Sequence, residues 1–250
     1  GLARELHAFA ARGSMGLIGA NGTLLELFQI LQCATPGFRA ALLAQLDAQG
    51  AEALVSQTVC AGRAIESLDK SMGVVMRNPA LRQQLERCLG AKAWWRLVLG
   101  VGTLYSLRQL SQSMSEALRQ EMAAAAAHLT TADWRALLAR GLFLDACTFI
   151  SQVLPGYPPA AQAAFVAALA DAAEALAQQA SWFDLNPSQA ALSAAAHSPA
   201  AAELQRALAT RIAALHVAEL EGLDFKEACN GLAFAWRERP DLRQALAAQL

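Results

Sequence analysis

The sequence predicts an all-α fold, a multi-helix bundle of about nine to twelve helices with antiparallel neighbours. Three observations carry this. Alanine supplies 58 of the 250 residues, prolines number only 8 and stand well apart, and apolar residues recur at i, i+3, i+4 and i+7 along most of the chain. With 55% apolar composition the chain is long enough to bury a sizeable core without staples.

Leu2 to Arg12 reads as a short amphipathic helix. Gly13, Gly16, Gly19 and Gly22 then recur every third residue and break it. A phosphate-cradling loop needs a GxxxxGK[ST] register, and no basic residue stands between Arg12 and Arg39. The stretch therefore reads as a connector with Leu17 and Ile18 turned inward; the alternative is an entrance loop or hinge. Thr23 and Glu26 form a capping box for a helix striped by Leu24, Leu27, Phe28 and Leu31, which Thr35, Pro36 and Gly37 end. A third helix is expected to run to about Gln49 and stop at Gly50. A fourth from Ala51 carries Leu54, Ala61, Ile65, Leu68 and Met72 towards Asn78. Asn78 with Pro79 is an N-cap followed by a first-turn proline, so a short helix starts there and closes at Gly90.

The stretch from Ala91 to Leu118 holds the adjacent tryptophans and the longest nearly uncharged apolar run, and predicts a long apolar central helix. Gly100 and Gly102 each cost such a helix about 1 kcal/mol against alanine. Either a neighbouring helix fills the notch they leave, or the helix breaks at Gly100 to Gly102. Thr130 and Asp133 open a helix whose Trp134, Leu138, Leu142, Asp145 and Phe149 share a face, ending at Pro155. The PGYPP turn is the strongest loop signal in the chain. It makes residues 154–159 a soft subdivision within a single domain of residues 1–250. Pro159 to Ala180 forms an alanine-rich helix, and Asn186, Pro187 and Gln189 read as cap, first-turn proline and capping-box partner of the next. Ser198 and Pro199 start another, with Leu204, Leu208, Ile212 and Leu215 in register. Phe225, Cys229, Leu232 and Trp236 stripe a helix opened by Asp224 and Glu227, and Pro240 precedes a last short one. No strict internal repeat is present, which leaves room for stacked helix pairs of unrelated sequence.

The formal charge of −1 is spread evenly, without the basic stripe that phosphate backbones require, and argues against nucleic acid as partner. Lysine occurs only at Lys70, Lys92 and Lys226; with the alanine excess, the arginine preference reads as the coding bias of a GC-rich bacterium. The cysteines, Cys33, Cys60, Cys88, Cys147 and Cys229, are odd in number, widely spaced and set in apolar helical patterns. They are expected to be reduced core residues without disulfides, which favours cytoplasmic folding. The chain begins at Gly1 without methionine, leaving an upstream segment or targeting signal to be expected. The best apolar window, Ala93 to Leu107, contains Arg96 and falls short of the ~20 residues of a membrane span.

Sites of chemistry are scarce. His7, His128, His197 and His216 stand far apart, with no HxxxH or HExxH pair, and no CxxC exists, so neither metal nor cofactor is expected. His216 and Glu219 are i, i+3 on one helix but lack the second motif and the further glutamates of a di-iron bundle. Ser67 to Lys70 spells SLDK, yet the usual companions of SxxK are absent. Aspartate clusters of a metal-dependent prenyl-transforming enzyme are also missing. Asp145, set in LFLDACTFI, and Arg96, set in WWRLVL, are charges among apolar neighbours, and a buried pair between them is the economical arrangement. Trp94, Trp95, Trp182 and Phe183 complete the candidate binding residues, the last two because they sit at a helix-ending turn.

These features favour a non-enzymatic helical protein-interaction domain of adaptor, regulatory or secreted-effector type, with another protein as partner and an exposed apolar patch to receive it. The alternatives are a binder or enzyme acting on an apolar small molecule beside the central helix, and peripheral, non-spanning membrane attachment through Trp94 and Trp95.

Overall fold

A computed structural model describes residues 10–12, 24–61, 78–214 and 240–248. Among these residues there is no strand, and there are thirteen α-helices. They divide into two compact units, Gly1–Ala125 and Ala126–Leu250. The division falls in the alanine run after Met122, whereas residues 154–159 lie within the second unit. The glycine-rich stretch 13–22, the end of the fourth predicted helix after Ala61, and the Phe225 to Trp236 stripe lie outside the described residues.

In the first unit, α1 (Leu24–Cys33) buries Leu24, Leu27 and Leu31, as its spacing requires. The side chain of Thr35 accepts from Phe38 N, so the residues that stop α1 also start α2 (Pro36–Ala44). The expected stop at Gly50 does not occur. The chain turns at Gln45 to Asp47, Asp47 Oδ1 accepts from Gly50 N at 2.7 Å, and α3 (Ala48–Ala61) takes Gly50 into its first turn. Asn78 caps α4 (Pro79–Cys88) by accepting from Leu81 N at 3.1 Å, with Pro79 in the first turn. α3 packs against α1 and α4, and α2 against α4. The buried Gln84 amide of α4 donates to Leu46 O at 2.6 Å, tying that helix to the α2–α3 turn.

The predicted central helix over 91–118 is three helices: α5 (Ala91–Val101), α6 (Leu104–Ser113) and α7 (Glu116–Ala126). This division carries the helix count beyond twelve. Each break is held by caps. At the first, Thr103 and Ser106 exchange side-chain and backbone bonds in a buried capping box. At the second, Ser115 N donates to Glu86 Oε1 of α4 at 2.7 Å, and Arg82 donates to Ser113 O at 3.3 Å. α3 also packs against α5.

The two glycines have opposite meanings. A Cβ at Gly102 would lie 2.9 Å from Val98 O and 3.0 Å from Val98 Cα, too close for backbone that cannot step aside. A Cβ at Gly100 meets nothing within 4 Å on the exposed side of α5. Gly100→Ala is therefore expected to raise stability by about 0.5–1 kcal/mol, and Gly102→Ala to lower it by about 1–3 kcal/mol. Urea denaturation of both variants reads the sign directly; a common sign would refute the broken-helix geometry.

In the second unit the single helix predicted from Thr131 to Pro155 is two. The Thr130–Asp133 capping box starts α8 (Thr131–Leu138) as expected, but the chain turns through Ala139 to Gly141 and restarts as α9 (Phe143–Gln152). A short 3-10 turn, Leu154–Gly156, buries Leu154 and leads to α10 (Pro159–Gln179). α11 (Trp182–Ala194) begins four residues before the predicted Asn186 cap, and Pro187 lies inside it. As the sixth residue of α11, Pro187 lies beyond the first four amides, which have no intrahelical acceptor, so the helix forgoes one backbone bond there. α12 (Pro199–Ala213) starts where Ser198 and Pro199 place it, and the last short helix, α13 (Pro240–Ala247), takes Pro240 as its first residue.

Packing in this unit links every second helix. α8 packs on α10 and α10 on α12 in one layer; α9 packs on α11 in a second, and both rest on α12. Alanine permits it: Ala161, Ala168, Ala173 and Ala177 of α10 and Ala200, Ala201 and Ala207 of α12 are all buried, so the helices approach closely. Trp134, Phe149, Tyr157 and Phe165 fill the centre, with ring centroids 5.3–6.2 Å apart. Such alternate stacking is the arrangement of helical solenoids, reached here without a sequence repeat.

Candidate functional site

The candidate binding residues are dispersed, and burial decides their roles. Trp94 and Trp95 are 1% and 4% exposed and belong to the core of the first unit. Adjacent residues on a helix point about 100° apart, so both can be buried only where α5 has neighbours on two sides. The Trp95 indole donates to Met122 O at 2.9 Å, joining α5 to α7. The buried Trp94 Nε1 has no acceptor among the described residues. Neither indole is presented to a partner or a membrane surface.

Arg96, one residue on, emerges from the core and is ion-paired with Glu52 of α3. Both side chains are well exposed, so the pair contributes little to stability. Arg96 and Asp145, expected to pair, each have a partner within their own unit. Asp145 stands at the third position of α9, where its carboxylate accepts from Leu142 N at 3.3 Å. Leucine at the helix boundary has no side-chain acceptor to offer, and a carboxylate in the first turn supplies one while complementing the helix dipole. Asp145→Asn is expected to lower stability by about 0.3–1 kcal/mol, measured by thermal unfolding; a loss several times larger would mean a buried charge.

Trp182 and Phe183 occupy the first turn of α11, not a loop. Asp184, at the third position of α11, accepts instead from the Ser181 hydroxyl at 2.8 Å. Both carboxylates lie near Cys147, the buried thiol of α9. They therefore mark the same end of the α9–α11 pair. Burial pushes the Cys147 thiol up to about 12, with the neighbouring Ser188 hydroxyl opposing and the two carboxylates reinforcing the shift. A thiol so disposed is a packing residue and no nucleophile. Burial also raises Cys88, whose Sγ donates to Leu46 O at 3.2 Å. Cys33 is exposed at the end of α1, contrary to the expectation that all five cysteines are core residues. It lies outside the stripe of Leu24, Leu27 and Leu31, and its neighbours in sequence concealed this.

α9 and α11 pack on each other and on α12, and each keeps a row of solvent-facing residues, together called the α9–α11 face. Leu144, Thr148, Ser151 and Gln152 of α9 and Pro187, Ala190, Ser193 and Ala194 of α11 are partly or fully exposed. Leu142, at the start of α9, is 59% exposed and is the sole large apolar side chain so exposed among the described residues. Among the described residues of this face, Leu142 is the one large exposed apolar side chain, beside small and uncharged ones. From Gly141 to Gln205 the chain has five acids, Asp145, Asp171, Glu174, Asp184 and Glu203, and no lysine or arginine. On the other layer Arg135 pairs with Asp171 across α8 and α10, and Arg206 with Glu203 within α12. The α9–α11 face has acids at one end and no base of its own. The 65-residue stretch without lysine or arginine is the sequence signal of this face, spread over composition and belonging to no motif.

No group of three or more metal-ligating side chains is assembled among the described residues. Among the described residues α10 is the one helix with the length and composition to cross a membrane, and it packs between α8 and α12 and carries Asp171 and Glu174 on its exposed side. That is the pattern of a core helix. The chain matches no protein-family model, no curated protein and no solved structure.

Proposed function

We propose that the chain is a non-enzymatic protein-interaction domain and that its second unit receives the partner on the outward face of α9 and α11. One observation carries the reading: alternate helices stack in two layers, the architecture with which helical solenoids offer extended surfaces to other proteins. The composition of the face describes the partner. Small uncharged side chains allow the close approach of a helix or extended segment, Leu142 supplies a single apolar anchor, and Asp145 and Asp184 favour basic residues at one end. The face is more polar than an obligate interface core, which fits a regulatory or adaptor contact that forms and dissolves.

Photo-crosslinking amino acids placed at Leu142, Thr148 or Ala190, and at Gln178 or Arg206 as controls, test this in the cells that make the protein. Discrete protein adducts from the first set, with none from the controls, are expected; equal labelling of both sets, or none from either, overturns the reading. Leu142→Ser is expected to change stability by no more than ~0.5 kcal/mol, because the side chain is already in water. The same substitution should weaken crosslinking from Thr148 severalfold. Native mass spectrometry addresses the small-molecule alternative: a chain carrying a stoichiometric added mass would replace protein binding with ligand binding.

A further inference from the structure

We draw no further inference here: the strongest candidate, the exposed alanine ridge along α10 formed by Ala160, Ala163, Ala167 and Ala170, is a stripe of small residues, and nothing in the structure shows what covers it.

Discussion

Trp134→Ala is expected to lower the stability of the second unit by about 3–5 kcal/mol. That is a large share of the roughly 5–15 kcal/mol that holds a domain of ordinary stability. Trp134 is fully buried and meets three rings, Phe149, Tyr157 and Phe165, at centroid distances of 5.9, 6.2 and 5.3 Å. Those rings come from α9, the turn after it, and α10, so one truncation loosens every element around the centre at once. Two further contacts, edge-to-face between Phe149 and Tyr157 and tilted between Phe149 and Phe165, depend on the same packing, and an edge-to-face pair adds about 0.5–1.5 kcal/mol beyond burial. Arg135→Ala at the next position is the control. Its ion pair with Asp171 is exposed, so a change within ~1 kcal/mol is expected. Urea denaturation of the full chain followed by circular dichroism measures both, and similar losses for the two variants would show that the aromatic centre does not hold the unit.

The second large effect is a loss of stability in alkali, from Cys147. Its thiol is held from 9.0 up to about 12 by burial between α9 and α11. Below pH 9 the folded and unfolded chains both keep the proton, and the stabilisation of the neutral buried thiol is fully present. Above pH 9 the unfolded chain loses the proton while the folded chain retains it. Stability therefore falls as pH rises and continues to fall until the folded thiol titrates near 12. At ~1.36 kcal/mol per pH unit, the interval from 9.0 to about 12 sums to roughly 4 kcal/mol. Lysines and tyrosines titrate in the same range, so the measurement is a comparison with Cys147→Ala, which removes one proton from the alkaline slope and leaves the others. Superimposable slopes for the two proteins above pH 9 would refute the buried neutral thiol. In the native protein at neutral pH a thiol reagent should modify exposed Cys33 readily and reach Cys147 only after denaturation.

The candidate site was barely legible. Asp145 stood out in sequence because its neighbours are apolar, and a buried charge was the natural inference; in the structure a turn at Gly141 puts that carboxylate in a first helical turn, where it accepts from a backbone amide. In sequence Trp94 and Trp95 suit a core and a contact surface equally, and only the three-dimensional neighbours show both to be core. The α9–α11 face without lysine or arginine had a trace in the sequence, the absence of both from 141 to 205, but composition does not say which side of a helix is free.

The sequence by itself determined the all-α class and the helix starts at Asn78, Thr130, Pro159 and Ser198, where proline or a capping side chain acts within one turn of its own position. It determined the buried stripe of α1 for the same reason, since helical periodicity is local. Tertiary structure decided where long apolar runs break, at Gly102, Met114 and Gly141, and which faces turn inward. A cap and a continued helix differ by only about 1 kcal/mol. A choice that fine is settled by groups remote in sequence: Glu86 receives Ser115 N, Leu46 O receives Gln84, and the alanines of α10 and α12 admit their neighbours.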